Sequence, residues 1–325
     1  MRDWVAVTGG CGYVGSHIAA EIKRTTDLQV LIIDRRAARL PHTHLHADEI
    51  LDVSYASARA LNALTRLRPR AVIHCAANSL VGPSMTDPRP YYENNVIDLR
   101  LLLDHLRLVQ LPNVIFSSSS SVYGSCDWAV SETAVCDPLN PYGRTKLMGE
   151  LMISDWCRAY GLNAISFRYF NAVGAAQGLG QEPGATHVLA RIMESQLCAE
   201  PFVIHGNDWP TADGTCIRDY VHVCDIAAAH VQGLHWLQCH AGNHVYNLGS
   251  GQGWSVLQLV AAVQAVTGQQ VPLQVGPRRP GDRAVTLADC TAVQRDLGWQ
   301  AQKTLQDIVR DAAAWYNSIT YRNLA

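Results

Sequence analysis

Residues 3–17 read DWVAVTGGCGYVGSH. The first six form an apolar run of strand length, and glycines follow at Gly9, Gly12 and Gly15. From Tyr13 to Arg24 the apolar spacing becomes helical. Strand, glycine turn and helix in that order aim backbone N–H groups and the positive end of a helix at one point. The glycines permit the tight turn and let a pyrophosphate approach the backbone. Tyr13 and Val14, in the first helical turn, belong to the same cradle. G-x-x-G-x-x-G is a weak signal alone and a strong one between a strand and a helix.

The next apolar run, QVLII at 29–33, ends at Asp34. A carboxylate there accepts hydrogen bonds from an adenosine ribose and repels a 2′-phosphate, so NAD is expected over NADP. Arg35 and Arg36 follow at once, and an arginine at this place can instead accommodate that phosphate. Asp52 and Val53, after a third short strand, either reach the adenine or, in the case of Asp52, cap the next helix.

Further apolar runs stand at 71–75 (AVIHC), 113–117 (NVIFS) and 163–168 (NAISFR). Helical patterns near 56–67, 92–109 and 141–160 separate them. Short continuous apolar strands alternating with helices predict an α/β fold with a doubly wound parallel sheet, covered on both faces. The chain has 325 residues, which at about 150 per domain predicts two domains. After Asn171 the texture becomes glycine-rich and irregular. Residues 1–171 are therefore expected to form the cofactor domain, with 220–249 returning to it. Residues 172–219 and 250–325 would form a smaller substrate domain over the strand ends. Pro272, Pro277 and Pro280 break up the segment before Asp282.

Composition excludes several classes. Twenty-six basic and 28 acidic residues give a net charge of −2, which argues against a nucleic-acid clamp and a polybasic membrane anchor. No apolar run reaches the ~18 residues that cross a bilayer, and the N-terminus lacks the apolar core of a secretion signal. The ten cysteines include no C-x-x-C pair. Buried thiols in a reducing cytoplasm are expected, with neither disulfides nor zinc.

Tyr142 and Lys146 lie in PYGRTK, four residues apart on one helix face. A phenol acting as a base near neutrality needs its pKa lowered by about three units, ~4 kcal/mol. One ammonium at ~4 Å supplies about that much at an effective dielectric of ~20, and less from farther away. The positive ring of an oxidised nicotinamide could supply the remainder. The preceding strand ends in FSSSSSVYG, placing Ser117 to Ser121 at its carboxyl end, where open α/β sheets bind ligands. One of these hydroxyls is expected to hold a substrate hydroxyl beside Tyr142.

Together TGGCGYVGSH, VIHCAA, YYENNV, FSSSSSVYG, NPYGRTK, RYFNAVGA, HGNDWPTADGTCIRDYVHVCDIA, YNLGSG and RRPGD resemble the extended short-chain dehydrogenase/reductase family. Within it they are similar to the UDP-glucose (UDP-galactose) 4-epimerases, over nearly the whole chain. The resemblance implies a Rossmann-type sheet, tightly held NAD, a UDP-sugar substrate and a homodimer built on the helices near 92–109 and 141–160. It implies Tyr142 as acid/base, Ser119 as its helper and Lys146 on the nicotinamide ribose. Ala76, Asn95, Ser117 and Tyr169 would line the cofactor. Asn171, Arg218, Tyr220, Arg279 and Asp282 would bind the UDP-sugar, the arginines acting as planar forks for diphosphate oxygens.

Three departures matter. Ser79 stands where many such epimerases carry a lysine toward the cofactor diphosphate, which puts retention of NAD in question. The segment after Asp34 is short, and its HTHLH run is either an exposed loop or a metal patch. Thr286, four residues after Asp282, stands where relatives that reject N-acetylated sugars carry a bulky tyrosine and tolerant ones a small residue, so room for a 2-acetamido group is expected. A sister dehydratase would need an Asp-Glu pair where Ser120-Ser121 stand. Epimerases of UDP-pentoses or UDP-glucuronate, and a non-catalytic dinucleotide sensor, are the remaining alternatives.

Overall fold

The computed structural model describes residues 3–124, 129–198, 200–279 and 282–324; Cys126 and Pro280 lie outside them. Five strands open the chain: β1 (Trp4–Thr8), β2 (Gln29–Ile33), β3 (Glu49–Leu51), β4 (Ala71–His74) and β5 (Asn113–Ser119). With Asn163–Tyr169 and Asn243–Leu248 they make a seven-stranded sheet in the order β3-β2-β1-β4-β5-(163–169)-(243–248). Every pairing in it is parallel. The four residues of β4 are all buried, as are four of five in β1 and β2. Burial on both faces is why these strands read as unbroken apolar runs.

On one face α1 (Tyr13–Thr25) and the helix Val223–Trp236 pack Ile18, Ile22, Ile226 and Leu234 against Val5, Val7 and Ile32. On the other, α2 (Ala58–Leu67) and the helix Asp98–Leu108 bury Leu64, Leu99, Leu102 and Leu106 against Ala6, Leu31 and Val72. A separate core gathers Leu189, Ile192, Leu259, Val263, Val309 and Trp315 from the C-terminal helices. The strand Ile217–His222 belongs to a second sheet, pairing with Asn171–Val173, Gly253–Ser255 and Val285–Ala288.

The chain returns to the large sheet twice after Asn171. Asn243–Leu248 extends its edge. The helix Thr291–Leu297 and Trp299 then join its core: Val293 and Trp299 are buried there, and Trp299 Nε1 donates to the carbonyl of Asp225 at 2.8 Å. A division placing all of 250–325 in the smaller unit therefore needs correction over this stretch. Its apolar face is too short to reveal its partner in the sequence. The segment after Pro272 also keeps a four-residue strand, Leu273–Gly276, paired with Phe202–His205.

None of the nine cysteines among the described residues is in a disulfide. No described helix is long and apolar enough to cross a membrane.

Candidate active site

The glycine turn closes as its spacing predicts. Gly9 has φ +69°, and a Cβ there would lie 2.6 Å from the backbone nitrogen of Ala76. The turn thus rests directly on the loop after β4, which brings Ala76 to the cradle. A Cβ on Gly15 would fall 2.2 Å from the carbonyl oxygen of Gly9, so only glycine lets α1 start this close to β1. No side chain caps α1, and no acidic residue stands in its first turn. An uncapped helix start of this kind suits an anion.

Asp34 is buried beside the turn. Its carboxylate accepts from the N–H of Cys11 at 3.1 Å and of Arg36 at 2.8 Å. The Asp34 N–H donates to the carbonyl of Leu51, setting exposed Asp52 and half-buried Val53 next to it. The capping alternative for Asp52 does not hold. Ser57 caps α2, accepting from the N–H of Ala60, because the chain needs five more residues after Asp52 to turn into the helix. Arg35 donates to Asn78 Oδ1 at 2.8 Å, and Arg36 to Glu182 at 2.8 Å.

The helix Pro141–Tyr160 starts at the cap of Asn140, whose side chain accepts from Gly143 N–H at 2.8 Å. This start brings Tyr142 and Lys146 against the end of β5. Burial pushes the Tyr142 phenol above its usual value, and the Ser119 hydroxyl beside it works against the rise. Lys146 Nζ donates to the carbonyl of Ser117 at 2.7 Å and stands 6.0 Å from the centre of the Tyr142 ring. Burial lowers Lys146 to about 8, opposed by Cys75 and Glu150. The lysine is bonded to the strand, so the longer-distance case applies, in which the ammonium supplies only part of the shift that Tyr142 needs.

Ser120 and Ser121 enter a 3₁₀ turn, where Ser121 N–H donates to Ser119 Oγ at 3.1 Å. Tyr169 lies 2.8 Å from Ser117 Oγ and 2.7 Å from His230 Nε2. His230 is fully buried, and its Nδ1 bonds the carbonyl of Ile226 at 2.8 Å. Nε2 is thus the acceptor for Tyr169. Asn95 is spent on the scaffold: it accepts from Asn78 N–H and donates to Asn78 O and Thr145 Oγ1, all within 3.0 Å. It ties the loop after β4 to the helix Pro141–Tyr160 one residue before Lys146.

Four of the expected substrate residues, Asn171, Arg218, Tyr220 and Thr286, lie on the second sheet, and Arg279 and Asp282 lie in the segment before Val285. Asn171 donates to the carbonyl of Asp219 at 2.9 Å. Arg218 NH2 lies 3.6 Å from Asp282 Oδ1, while its NH1 holds the carbonyls of Ile217 and Arg283. Asp282 N–H donates to the carbonyl of exposed Arg279. Tyr220 is buried with its hydroxyl unpartnered. Thr286 is the register partner of Arg218. His205, the first residue of the HGNDWP motif but given no role there, has its pKa lowered by burial and by Arg279, against the opposite pull of Asp282. His230, Glu182 and Asn78 were likewise unmarked, since each meets its partner only across the fold. In the HTHLH run, His44 Nε2 meets the carbonyl of Ala37. No described cluster of His, Cys, Asp and Glu could hold a metal ion.

Residues 5–249 match the model of the NAD dependent epimerase/dehydratase family. The chain belongs to that family. This epimerase/dehydratase-family chain is 38% identical to a UDP-glucose 4-epimerase of Corynebacterium glutamicum, covering 98% of this chain and 97% of that one. Among solved structures it is similar to a UDP-glucose 4-epimerase of Stenotrophomonas maltophila with bound NAD and formylated UDP-arabinopyranose. The TM-score is 0.91 and the identity 35%, over 97% of this chain and 98% of that one. It is also similar to the UDP-Glc/GlcNAc 4-epimerase of Campylobacter jejuni, with a TM-score of 0.82 and 31% identity over 96% and 98% of the two chains.

Proposed function

We propose that this chain inverts C4 of a UDP-hexose, interconverting UDP-glucose and UDP-galactose, with NAD held as a prosthetic group. The observation that carries this is the grouping at the carboxyl end of β5, where Lys146 Nζ is bonded to the carbonyl of Ser117 at 2.7 Å and stands 6.0 Å from the centre of the Tyr142 ring, with Ser119 at the end of the same strand. Whole-length similarity to UDP-glucose 4-epimerases supports it.

The residues present suit a dinucleotide: an uncapped helix start, a glycine turn, and a buried carboxylate at the end of β2. When bound, NAD supplies the hydride acceptor, the hydride donor and a positive ring. Tyr142 Oη takes the proton of the sugar 4-hydroxyl and later returns it. Ser119 keeps that hydroxyl and the phenol in line. Lys146, anchored by Ser117, is placed to hold a ribose hydroxyl. Arg218 and Arg279 clamp the diphosphate and Asp282 the uridine ribose, while the 4-keto sugar turns to present its other face. Asn171 and Tyr220 line the same side.

Thr286 favours an extension to the N-acetylated pair. It sits beside Arg218 in the register and has a short side chain. The cofactor unit is read as 1–171 with 220–249, and the substrate unit as 172–219 and 250–325 apart from the stretch around Val293 and Trp299. A homodimer is read from Ile97, Leu101, Leu108, Met148 and Leu151, exposed apolar side chains along 97–108 and 148–151. Free cysteines support a reducing, cytoplasmic setting.

The test is incubation of the purified chain with UDP-galactose, with and without added NAD, and chromatography of the products. Formation of UDP-glucose is expected. No conversion of UDP-galactose or of any other UDP-sugar would overturn the epimerase and favour the sensor.

A further inference from the structure

Arg36 is bracketed by two carboxylates. Its NH1 donates to Glu182 Oε1 at 2.8 Å, and its Nε lies 4.0 Å from Asp34 Oδ1. Its NH2 lies 3.4 Å from where a Cβ on Gly12 would stand. The guanidinium therefore sits over the glycine turn, beside the carboxylate that the NAD-binding reading gives to the adenosine ribose. An arginine there would pair with a 2′-phosphate, but Glu182 already occupies it.

Glu182 comes from a distant part of the chain, and the two residues before it are fixed against Trp315. Trp315 Nε1 donates to the carbonyl of the preceding Gln181 at 2.8 Å, and a Cβ on Gly180 would meet the Trp315 ring at 2.5 Å. Earlier in the same loop, Tyr13 Oη donates to the carbonyl of Gly174 at 2.7 Å. The other nearby cation, Arg35, is turned away toward Asn78.

We infer that Glu182 is a cofactor-specificity residue: by neutralising Arg36 beside Asp34, it keeps the pocket selective for NAD against its 2′-phosphorylated form. Asp34, Arg36 and Glu182 together carry one net negative charge, which repels a 2′-phosphate. Without the Glu182 charge the cluster is neutral and Arg36 is released to pair with that phosphate. The inference rests on the NAD-binding reading above and deepens it.

The test is a competition. The purified full-length chain is incubated with an equimolar excess of NAD and NADP until the bound ratio is constant. Free nucleotide is removed, and the bound nucleotides are released and quantified by mass spectrometry. In Glu182→Gln the bound NADP:NAD ratio should rise about tenfold over the unsubstituted chain, and less at high salt. Arg36→Ala/Glu182→Gln should lose that rise. An unchanged ratio in Glu182→Gln, with NAD still bound, would overturn the inference alone. A rise that persists in the double variant would overturn it as well. Failure of the unsubstituted chain to retain either nucleotide would instead overturn the NAD reading, and this inference with it.

Discussion

Glu150 and Arg168 form a bidentate ion pair inside the protein, with Arg168 NH2 2.6 Å from Glu150 Oε2 and both side chains about 6% exposed. Glu150 lies two helical turns beyond Tyr142, and it also accepts from the Ser118 hydroxyl. Arg168 NH1 reaches Tyr123 Oη at 2.9 Å, and Tyr123 in turn donates to Asn247 Oδ1 at 2.7 Å. The pair thus pins the catalytic helix to three strands of the sheet just behind the site. Glu150→Gln should destabilise the chain by about 3–5 kcal/mol, because an unpaired guanidinium stays buried. Glu150→Leu/Arg168→Met should recover much of that loss. Urea unfolding of the three proteins checks both; equal stability of Glu150→Gln and the unsubstituted chain would show that the pair carries no such weight.

Tyr142→Phe should lower turnover by at least about 10²-fold while the fold is kept. Ser119→Ala should leave more activity but move its dependence on pH. The Ser119 hydroxyl lowers the Tyr142 pKa against burial, so its loss leaves the phenol harder to ionise. The activity should then rise at higher pH than in the unsubstituted chain. A pH–rate profile measured for both proteins decides this.

Thr286→Tyr should remove activity on UDP-N-acetylgalactosamine and retain most activity on UDP-galactose. Equal loss on both sugars would show that Thr286 does not gate the 2-substituent. Rates on the two substrates, measured side by side, give the answer.

Three buried histidines make stability depend on acid. Burial lowers His17 and His230 to about 4 and His74 to about 3. Unfolded, each titrates near 6.5. Between pH 6.5 and about 4 the unfolded chain therefore binds more protons than the folded one, and stability falls as pH falls. Each histidine contributes up to about 1.4 kcal/mol per pH unit in that window. Urea midpoints at pH 7 and pH 5 should show the drop, and a flat profile would contradict it.

Much of the site was legible because it is local. Gly9, Gly12 and Gly15 must follow a strand and open a helix to make an anion cradle, and that order is visible in fifteen consecutive residues. Tyr142 and Lys146 are one helical turn apart, so their shared face follows from the spacing. The unbroken apolar runs of β1, β2, β4 and β5 announced a parallel sheet because both of its faces are covered.

The rest depends on residues far apart in the chain. Asp52 looked like a possible helix cap until the turn at Ser57 showed where the helix starts. The distance of the Lys146 ammonium from Tyr142 was open in the sequence, and the carbonyl of Ser117 fixes it by holding the ammonium on the strand. Arg36 meets Glu182 across 146 residues, and His230 meets Tyr169 across 61. By itself the sequence determined the sheet, the phosphate turn and the Tyr–Lys helix face, because backbone periodicity and near-neighbour spacing dictate them. Only the tertiary structure decided which charges neutralise each other and which hydroxyls share a proton. Those pairings depend on distances of a few ångströms between segments that the linear order leaves unrelated.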